Sequence, residues 1–494
     1  FPGIQGTIKT LLMATAFDNQ PDKYVIITDN QYHASELYSD LSEFVGEAKV
    51  FQYFSDDNIF AEYAIASKER LAYRLDALSF LQDKEANGFL IIPNFALRNF
   101  LPDPAVFKTF NLLFTVGQEF DTEELVNQLS TIGFDKTQRV MSPGEFSKRG
   151  DILDIYPLDA ENPVRVEFFG DEIDGLRYFD VESQRSLQEL DTIVIKPSSD
   201  FVLSPADFER GVNYLSSLTD LEDKQSSYLA EIIGAAKHQN YHAELRKFSE
   251  FFYEKQWTLL DYLPKHTPIF IDDFQKINEM DHKITQETAE FILSEKLLSR
   301  SIDGMHYLAD NSHHLRTYKP ATYFSNFQKG LGNLKFDLLH NFNQHSMQAF
   351  FGQMPMLEVE LAHFIKTDYT VVLAVSKEKE AKLTQGLQEI NISFTLTQAD
   401  QLQSKVVNIV NLNLTNGFNL LDEKTAVITE TEIFGKTKKR RTKRLNITNA
   451  ERLQDYNELE VGDYVVHQTH GIGKYLGLET IEISGIHRDY LTIQ

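Results

Sequence analysis

One stretch between Gly144 and Asp180 constrains the fold of this chain more than any other. Apolar residues alternate there with Arg165, Glu167 and Phe169, which predicts a strand with one apolar and one mostly polar face. Gly-Asp and Asp-Gly pairs follow, and these residues accept the backbone angles of tight turns. The stretch therefore predicts several short antiparallel strands joined by turns.

Two arginines, Arg149 and Arg165, fall on the predicted polar face, with Phe169 near them in the pattern. Two guanidinium groups beside an aromatic ring on a rigid sheet are suited to binding the carboxylates of a partner. The arginines are equally suited to pairing with local acids such as Asp151 or Glu167. The residues alone leave both interpretations open.

The sequence motifs of this stretch carry a family resemblance. Gly-Glu-Phe, Lys-Arg-Gly-Asp-Ile-Leu-Asp-Ile-Tyr-Pro, Arg-Val-Glu-Phe-Phe-Gly-Asp-Glu-Ile and Ser-Gln-Arg-Ser occur in order over some forty residues. They resemble the domain shared by excinuclease B and the bacterial transcription-repair coupling factor. In both relatives this domain docks excinuclease A, the damage-recognition component of the excinuclease. The resemblance implies docking through Arg149, Arg165 and Phe169.

Length and composition limit the other possibilities. At 494 residues the chain is long enough for three or four domains. The chain has no cysteine, which excludes disulfides and thiol chemistry and fits a cytoplasmic location. The sequence contains no run of about twenty apolar residues, which is the length that a membrane-spanning helix needs. The net charge of −25 argues against a broad phosphate-binding surface, and the initial Phe1 indicates part of a longer protein.

Strand and helix patterns alternate over most of the chain, for example a helix from Lys377 to Glu389, and predict an α/β multidomain protein with a parallel, doubly wound sheet. With the resemblance, we expect a degenerate P-loop-NTPase-like sheet, an inserted α+β docking domain, a small α/β spacer domain and a C-terminal CarD-type β-barrel. The expected segments are, in order, the first part of the α/β module at 1–120, the docking domain at 121–200, the second part of the module at 201–345, the spacer with a basic linker at 346–445 and the barrel at 446–494.

A possible phosphate loop lies at residues 3–10, where Gly3, Lys9 and Thr10 match the register of G-x-x-x-x-G-K-[ST]. Ile8 replaces the glycine before the lysine, and a β-branched side chain crowds the loop where phosphates must approach. We therefore expect a vestigial loop. Excinuclease B has an intact loop, whereas the first module of the coupling factor resembles excinuclease B without its ATP site.

Two charged features have less specific interpretations. Asp272 and Asp273 end a predicted strand and could pass for a magnesium-binding pair, but we expect one of them to cap the following helix. The basic run from Lys436 to Arg444 contains no aromatic residue for base stacking. It favours a solvated linker over DNA contact. The scattered histidines show no metal-ligand spacing, and we expect no metal site.

The last 36 residues contain Val-Val-His, His-Gly-Ile-Gly-Lys-Tyr and Gly-Leu elements. They resemble the polymerase-interacting domain of the coupling factor, which CarD-type regulators share and excinuclease B lacks. The resemblance implies that a strand edge pairs with the RNA polymerase β subunit. The expected contact residues, of which the glycines are also explained as turn residues, are Gln468, Gly471, Ile472, Gly473, Lys474 and Tyr475.

These features predict an adaptor that binds stalled RNA polymerase and recruits excinuclease A in nucleotide excision repair. We expect no catalytic residue and no cofactor in this chain. ATP, magnesium and most DNA contact belong to the translocase motor that the family carries elsewhere. We expect a monomer. The alternative is a nucleotide-dependent repair enzyme of the excinuclease B kind, which requires ATP at residues 3–10.

Overall fold

The computed structural model describes residues 1–55, 68–219, 221–237, 243–310, 312–325 and 334–435, and three strands between 464 and 493. The basic run at 436–444 and Gln468 lie outside the described residues. The chain divides into two compact units, Phe1–Leu445 and Asn446–Gln494, which are described separately below.

Helices and strands are numbered along the chain. The strands are β1 Lys23–Thr28, β2 Val50–Gln52, β3 Gly88–Pro93, β4 Leu112–Thr115, β5 Asp135–Lys136, β6 Glu145–Arg149, β7 Ile152–Ile155, β8 Val164–Phe169, β9 Glu172–Phe179, β10 Ser186–Leu190, β11 Thr192–Ile195, β12 Ile269–Asp272, β13 Ala321–Phe324, β14 Gln344–Ser346, β15 Thr370–Ala374, β16 Phe394–Thr397, β17 Val407–Val410, β18 Phe418–Leu420, β19 Thr425–Thr429, β20 Tyr464–His467, β21 Gly471–Ile483 and β22 Ile486–Ile493. The α-helices are α1 Thr7–Asn19, α2 Gln31–Val45, α3 Lys68–Gln82, α4 Pro104–Thr109, α5 Thr122–Thr131, α6 Pro205–Ser216, α7 Asp223–Lys237, α8 Ser249–Phe252, α9 Phe274–Leu297, α10 Ser312–Thr317, α11 Met354–Lys366, α12 Lys377–Glu389 and α13 Glu430–Phe434.

The first sheet consists of parallel strands in the order β13-β12-β1-β3-β2. Its central strands β1 and β3 are buried along their whole length, because helices cover both faces. The predicted parallel α/β layer is confirmed. Its strands β12 and β13 come from the segment after residue 201, so the docking domain is an insertion within this layer.

The inserted domain contains a six-stranded sheet in the order β10-β9-β8-β7-β6-β5 and a separate two-stranded sheet, β4-β11. Its own core includes Phe114 from β4 as well as Leu125 and Leu129 from α5. Because β4 pairs with β11, the domain begins at residue 112. The predicted boundary at 121 is therefore nine residues too late.

A helical region follows the inserted domain and is tied to the first layer by a buried ion-pair cluster. Asp200 lies between Arg74 of α3 and Arg246, and its carboxylate accepts a 2.7 Å hydrogen bond from Arg74 Nε and another hydrogen bond from Arg246. Burial alone would raise the pKa of Asp200, but the guanidinium groups of Arg246 and Arg74 hold it well below its usual range.

A second α/β layer has the strand order β14-β18-β19-β15-β17-β16. Strands β15, β16, β17 and β19 are parallel, whereas β14 and β18 pair antiparallel. One face of this sheet has its own core with α11 and α12. The other face shares a continuous core with the first layer, where Leu414 and Phe418 lie in the same cluster as Ile4 and Ile8. The region predicted as a spacer is thus packed firmly on the first layer.

The described strands of the second unit form an antiparallel sheet in the order β20-β21-β22. Ile483, the last residue of β21, pairs with Ile486, the first residue of β22. A closed barrel stays a prediction.

Candidate functional site

The six-stranded sheet of the inserted domain has a buried inner face and a charged outer face. Val164, Val166 and Phe168 point into the core, so the alternate residues of β8 point outward. Register places Asp154 of β7 opposite Arg165 of β8, and Arg165 opposite Arg177 of β9. One row of charged side chains therefore crosses three neighbouring strands.

Asp154 is the centre of this row, and its side chain is only 1% exposed. Arg165 donates from Nε to one carboxylate oxygen at 2.7 Å and from Nη2 to the other at 2.9 Å. Arg149 Nη2 donates to that second oxygen at 2.8 Å. A single buried carboxylate thus fixes both arginines through charge-assisted hydrogen bonds.

Arg165 is further fixed by its surroundings. Its Nη2 also donates to Gln184 Oε1 at 3.0 Å, and its guanidinium lies 4.3 Å from the ring centre of Phe179. The hydrogen bond to Asp154 raises the pKa of Arg165 above its ordinary value. The side chain of Arg165 is 13% exposed, against 48% for Arg149. The two arginines are therefore unequal in their access to a partner.

A second pair on the same face was not predicted from the sequence. Arg177 donates from both terminal nitrogens to Glu167, from Nη1 at 2.6 Å. Both side chains are partly exposed. These opposite charges lie on neighbouring strands, and they could have suggested the pair only if the pairing of β8 with β9 had been known.

Phe169 ends β8 on the same outer face and is 84% exposed. A phenyl ring left almost wholly in water is unusual, and such rings are common anchors at protein interfaces. The three residues predicted for docking therefore share one face. Of the two interpretations left open, pairing with a local acid occurs, but the acid is Asp154 and not Asp151 or Glu167.

The predicted phosphate loop leads into α1. Gly3 and Gly6 both have positive φ, at 83° and 62°, so the loop has backbone geometry that favours glycine. Ile8 is buried in the first turn of α1. Thr10 Oγ1 donates to the carbonyl oxygen of Thr7 at 2.7 Å. Its hydroxyl proton is thus used within the helix.

Lys9, the expected phosphate ligand, binds a protein carboxylate. Its Nζ lies 2.5 Å from Asp272 Oδ1, and both side chains are about nine-tenths buried. Asp273 accepts a hydrogen bond from the backbone of Lys276 and caps α9, so the predicted helix cap is confirmed for Asp273. Asp272 has a different role, as the ion-pair partner of Lys9.

The second α/β layer closes this loop from the other side. Asp40 of α2 accepts hydrogen bonds from Thr7 Oγ1 at 2.7 Å, Thr415 N at 2.8 Å and Thr415 Oγ1 at 2.9 Å. Burial raises the pKa of Asp40 to about 6 in spite of these hydrogen bonds. A cavity of about 270 Å³ remains beside Lys9 and Asn416, which is below the roughly 300–1,000 Å³ of typical ligand pockets.

The second unit contains the residues expected to contact polymerase. Gly471, Ile472 and Gly473 pair with His467, Val466 and Val465 of β20 as regular ladder positions of β21. Lys474 is exposed, whereas Tyr475 is 4% exposed. A side chain this buried is not available to a partner, so the prediction of Tyr475 as a contact residue does not fit the structure.

The described part of the chain contains neither a membrane-spanning helix nor a metal-binding group. No helix there is both long and apolar enough to cross a bilayer. No group of three or more His, Asp or Glu side chains in the same residues is arranged to hold a metal ion.

Comparison with known proteins places both candidate surfaces in known families of domains. Residues 112–201 match the UvrB interaction domain, and residues 459–494 match the CarD-like/TRCF RID domain. The first match begins at the first residue of β4.

The chain is also similar over its whole length to curated relatives. The transcription-repair-coupling factor of Bacillus subtilis (strain 168) is 36% identical over 99% of this chain and 43% of that protein. Those of Staphylococcus aureus (strain MRSA252) and Staphylococcus haemolyticus (strain JCSC1435) are 31% and 30% identical over 100% of this chain and 43% of each relative. The chain therefore spans less than half the length of these relatives. Almost the whole chain is therefore similar to part of these transcription-repair-coupling factors, and two of its segments match the UvrB interaction domain and the CarD-like/TRCF RID domain.

Proposed function

We propose that this chain is the adaptor part of a transcription-repair coupling factor. In this proposal the inserted domain recruits excinuclease A, and the second unit binds RNA polymerase. The observation that carries the proposal is the outer face of the six-stranded sheet, where two arginines are fixed on one carboxylate beside an exposed phenylalanine. Preorganised side chains of this kind lower the entropy lost on binding.

The polymerase contact is proposed to form by strand addition. Among the described strands of the second unit, β20 pairs only with β21, so no described strand lies along its other edge. Tyr464 of this strand is strongly exposed. An exposed edge with backbone donors and acceptors is a template for a partner strand, here from the β subunit of polymerase.

We further propose that the first layer descends from a P-loop NTPase and no longer binds nucleotide. Lys9 is neutralised by Asp272, and Ile8 takes the place of a glycine. The cavity beside them is lined by five carboxylates, from Asp29, Glu36, Asp40, Asp272 and Asp273, against the two lysines Lys9 and Lys276 and against His33, whose pKa is raised by its hydrogen bond to Asp29. Such a surplus of negative charge disfavours a triphosphate.

One observation favours a second candidate, a nucleotide-dependent enzyme of the excinuclease B kind. A loop lysine facing an acid at the end of a neighbouring strand is the arrangement that P-loop enzymes use for phosphate and magnesium. Under this candidate the Lys9–Asp272 pair would separate when ATP binds. Titration with a fluorescent ATP analogue decides between the two, since only the second candidate requires saturable binding at micromolar concentrations.

Binding of the 494-residue chain to immobilised excinuclease A tests the adaptor proposal. We expect saturable binding that the Phe169→Ala variant weakens at least about thirtyfold, as for a central aromatic anchor. Val359→Ala, which removes another exposed apolar side chain on α11, is the matched control and should bind like the wild type. Absence of saturable binding by the wild-type chain would overturn the proposal.

A further inference from the structure

The outer face of the six-stranded sheet contains a compact charged group, which we call the arginine cluster: Arg149, Asp154, Arg165, Glu167 and Arg177. Three guanidinium groups meet two carboxylates, so three minus two leaves one positive charge within the cluster. The charge balance indicates one position at which a partner's carboxylate is favoured.

The hydrogen bonds show which arginine carries that charge outward. Arg165 uses Nε and Nη2 on Asp154 and Gln184, and Arg177 uses both terminal nitrogens on Glu167. Arg149 makes one such bond, from Nη2, and about half of its side chain is exposed. Among the described residues no hydrogen bond uses its Nε, its Nη1 or the second N–H of Nη2, and Nη2 together with either neighbour can donate to a partner's carboxylate.

Register also gives the spacing between Arg149 and Phe169. Arg149 lies opposite Ile152, and Ile152 lies opposite Glu167, two residues before Phe169 on the same face. Two steps of about 4.8 Å across the sheet and two residues of about 3.3 Å along β8 separate the two Cα atoms by roughly 12 Å. The guanidinium and the ring can therefore contact one continuous partner surface.

We propose that Arg149 is the arginine that contacts the docking partner. Arg165 holds the carboxylate of Asp154 in place, and Asp154 is a positioning residue that orients Arg149 towards the partner. The complementary surface offers one carboxylate to Arg149 and an apolar pocket to Phe169, roughly 12 Å apart. The inference rests on the proposed docking of excinuclease A and specifies the chemistry of that contact. In this proposal the two arginines are not equivalent, in contrast to the expectation from the sequence that both bind carboxylates of the partner.

Affinity of the full 494-residue chain for excinuclease A tests the first part. Arg149→Ala should weaken binding at least about thirtyfold, the loss typical of a hot-spot residue, while the inserted domain stays folded because Arg165 keeps Asp154 paired. Lys283→Ala removes one exposed cation from α9 and is the control for net charge, expected to bind like the wild type. Wild-type affinity in Arg149→Ala would overturn the inference while leaving the proposed function intact. No binding by the wild-type chain would overturn the proposed function itself.

A double-mutant cycle tests the positioning role of Asp154. Asp154→Asn adds one positive charge to the face, so an account based on charge alone expects tighter binding of an acidic partner. If Asp154 positions Arg149, Asp154→Asn should weaken binding about tenfold when Arg149 is present. In the Arg149→Ala background the same substitution should change the affinity by less than about twofold, since its effect passes through Arg149. Tighter binding, or equal weakening in both backgrounds, would contradict it. The unfolding midpoint of each variant is measured alongside, and Arg149→Lys, which keeps the charge without the planar fork, should recover only part of the lost affinity.

Discussion

Replacing Arg165 by alanine should destabilise the inserted domain, although the residue was selected from the sequence as an exposed binding residue. An exposed arginine would be lost with little effect on folding. The structure instead places Arg165 in two hydrogen bonds to a carboxylate that is 1% exposed, with a third to Gln184. Its loss leaves a buried charge with fewer partners.

The expected loss of unfolding free energy in Arg165→Ala follows from these contacts. Removing one partner of a buried ion pair costs about 3–5 kcal/mol, and an arginine over an aromatic ring contributes roughly 0.5–1 kcal/mol more. Arg149 still donates to Asp154 at 2.8 Å, which keeps part of the neutralisation. We therefore expect a loss of about 2–3 kcal/mol in the free energy of unfolding of the domain.

Hydrogen exchange followed by mass spectrometry is the suitable assay, because it reports on each core separately in a chain that has several. Peptides covering β7 and β8 should exchange faster by a factor of roughly 30–150 in Arg165→Ala, the equivalent of about 2–3 kcal/mol, while peptides from the second α/β layer should not change. Arg177→Ala is the matched control, since its partly exposed pair with Glu167 is worth about 0–1 kcal/mol. Equal exchange in Arg165→Ala and wild type would refute the assignment of Asp154 as a buried anchor.

Three further predictions concern the rest of the first unit. Asp40 has a native pKa of about 6 against an ordinary value of 3.8, so its contribution to the unfolding free energy falls as pH rises from about 4 to 6. Asp40→Asn should remove this pH dependence and raise the unfolding free energy at pH 7.5 by up to about 3 kcal/mol. An unchanged pH profile of the variant in chemical denaturation would contradict this prediction. The pKa of Asp200 is lowered in the folded state, so its full contribution to the unfolding free energy is present above the pKa of the unfolded state and is lost as pH falls below that value. Asp200→Asn should cost about 3–5 kcal/mol at pH 7 and lower the thermal midpoint. A midpoint equal to that of the wild type would show that the cluster with Arg74 and Arg246 is dispensable. An ATP analogue with magnesium should show no saturable binding by equilibrium dialysis, and Ile8→Gly should not restore it because Lys9 stays paired; micromolar binding by either protein would refute this.

Local sequence patterns were sufficient to predict strand β8 and helix α12 and to predict which side chains of β8 point to solvent. The alternation around Arg165 predicted both β8 and the outward direction of Phe169, since a strand turns successive side chains to opposite faces. The helix α12 begins and ends at the residues that its pattern predicts. These features depend on neighbours in the chain, so the sequence contains them directly.

The partners of the charged residues depend on strand pairing and could not be predicted. Asp154 lies in an apolar run and looks like a core position, but the register of β7 and β8 sets it opposite Arg165. Lys9 and Asp272 are 263 residues apart and meet because α1 and β12 belong to one layer. The start of the inserted domain was misplaced for the same reason, because β4 pairs with a strand some eighty residues later.

The central claim is that one chain holds two partners at once through separate surfaces. Mass photometry of the 494-residue chain mixed with excinuclease A and RNA polymerase, in the absence of nucleotide, tests it most directly. We predict a species that contains all three proteins and that loses only excinuclease A in the Phe169→Ala variant. Mutual displacement of the two partners, or a complex that forms only after ATP is added, would contradict the account.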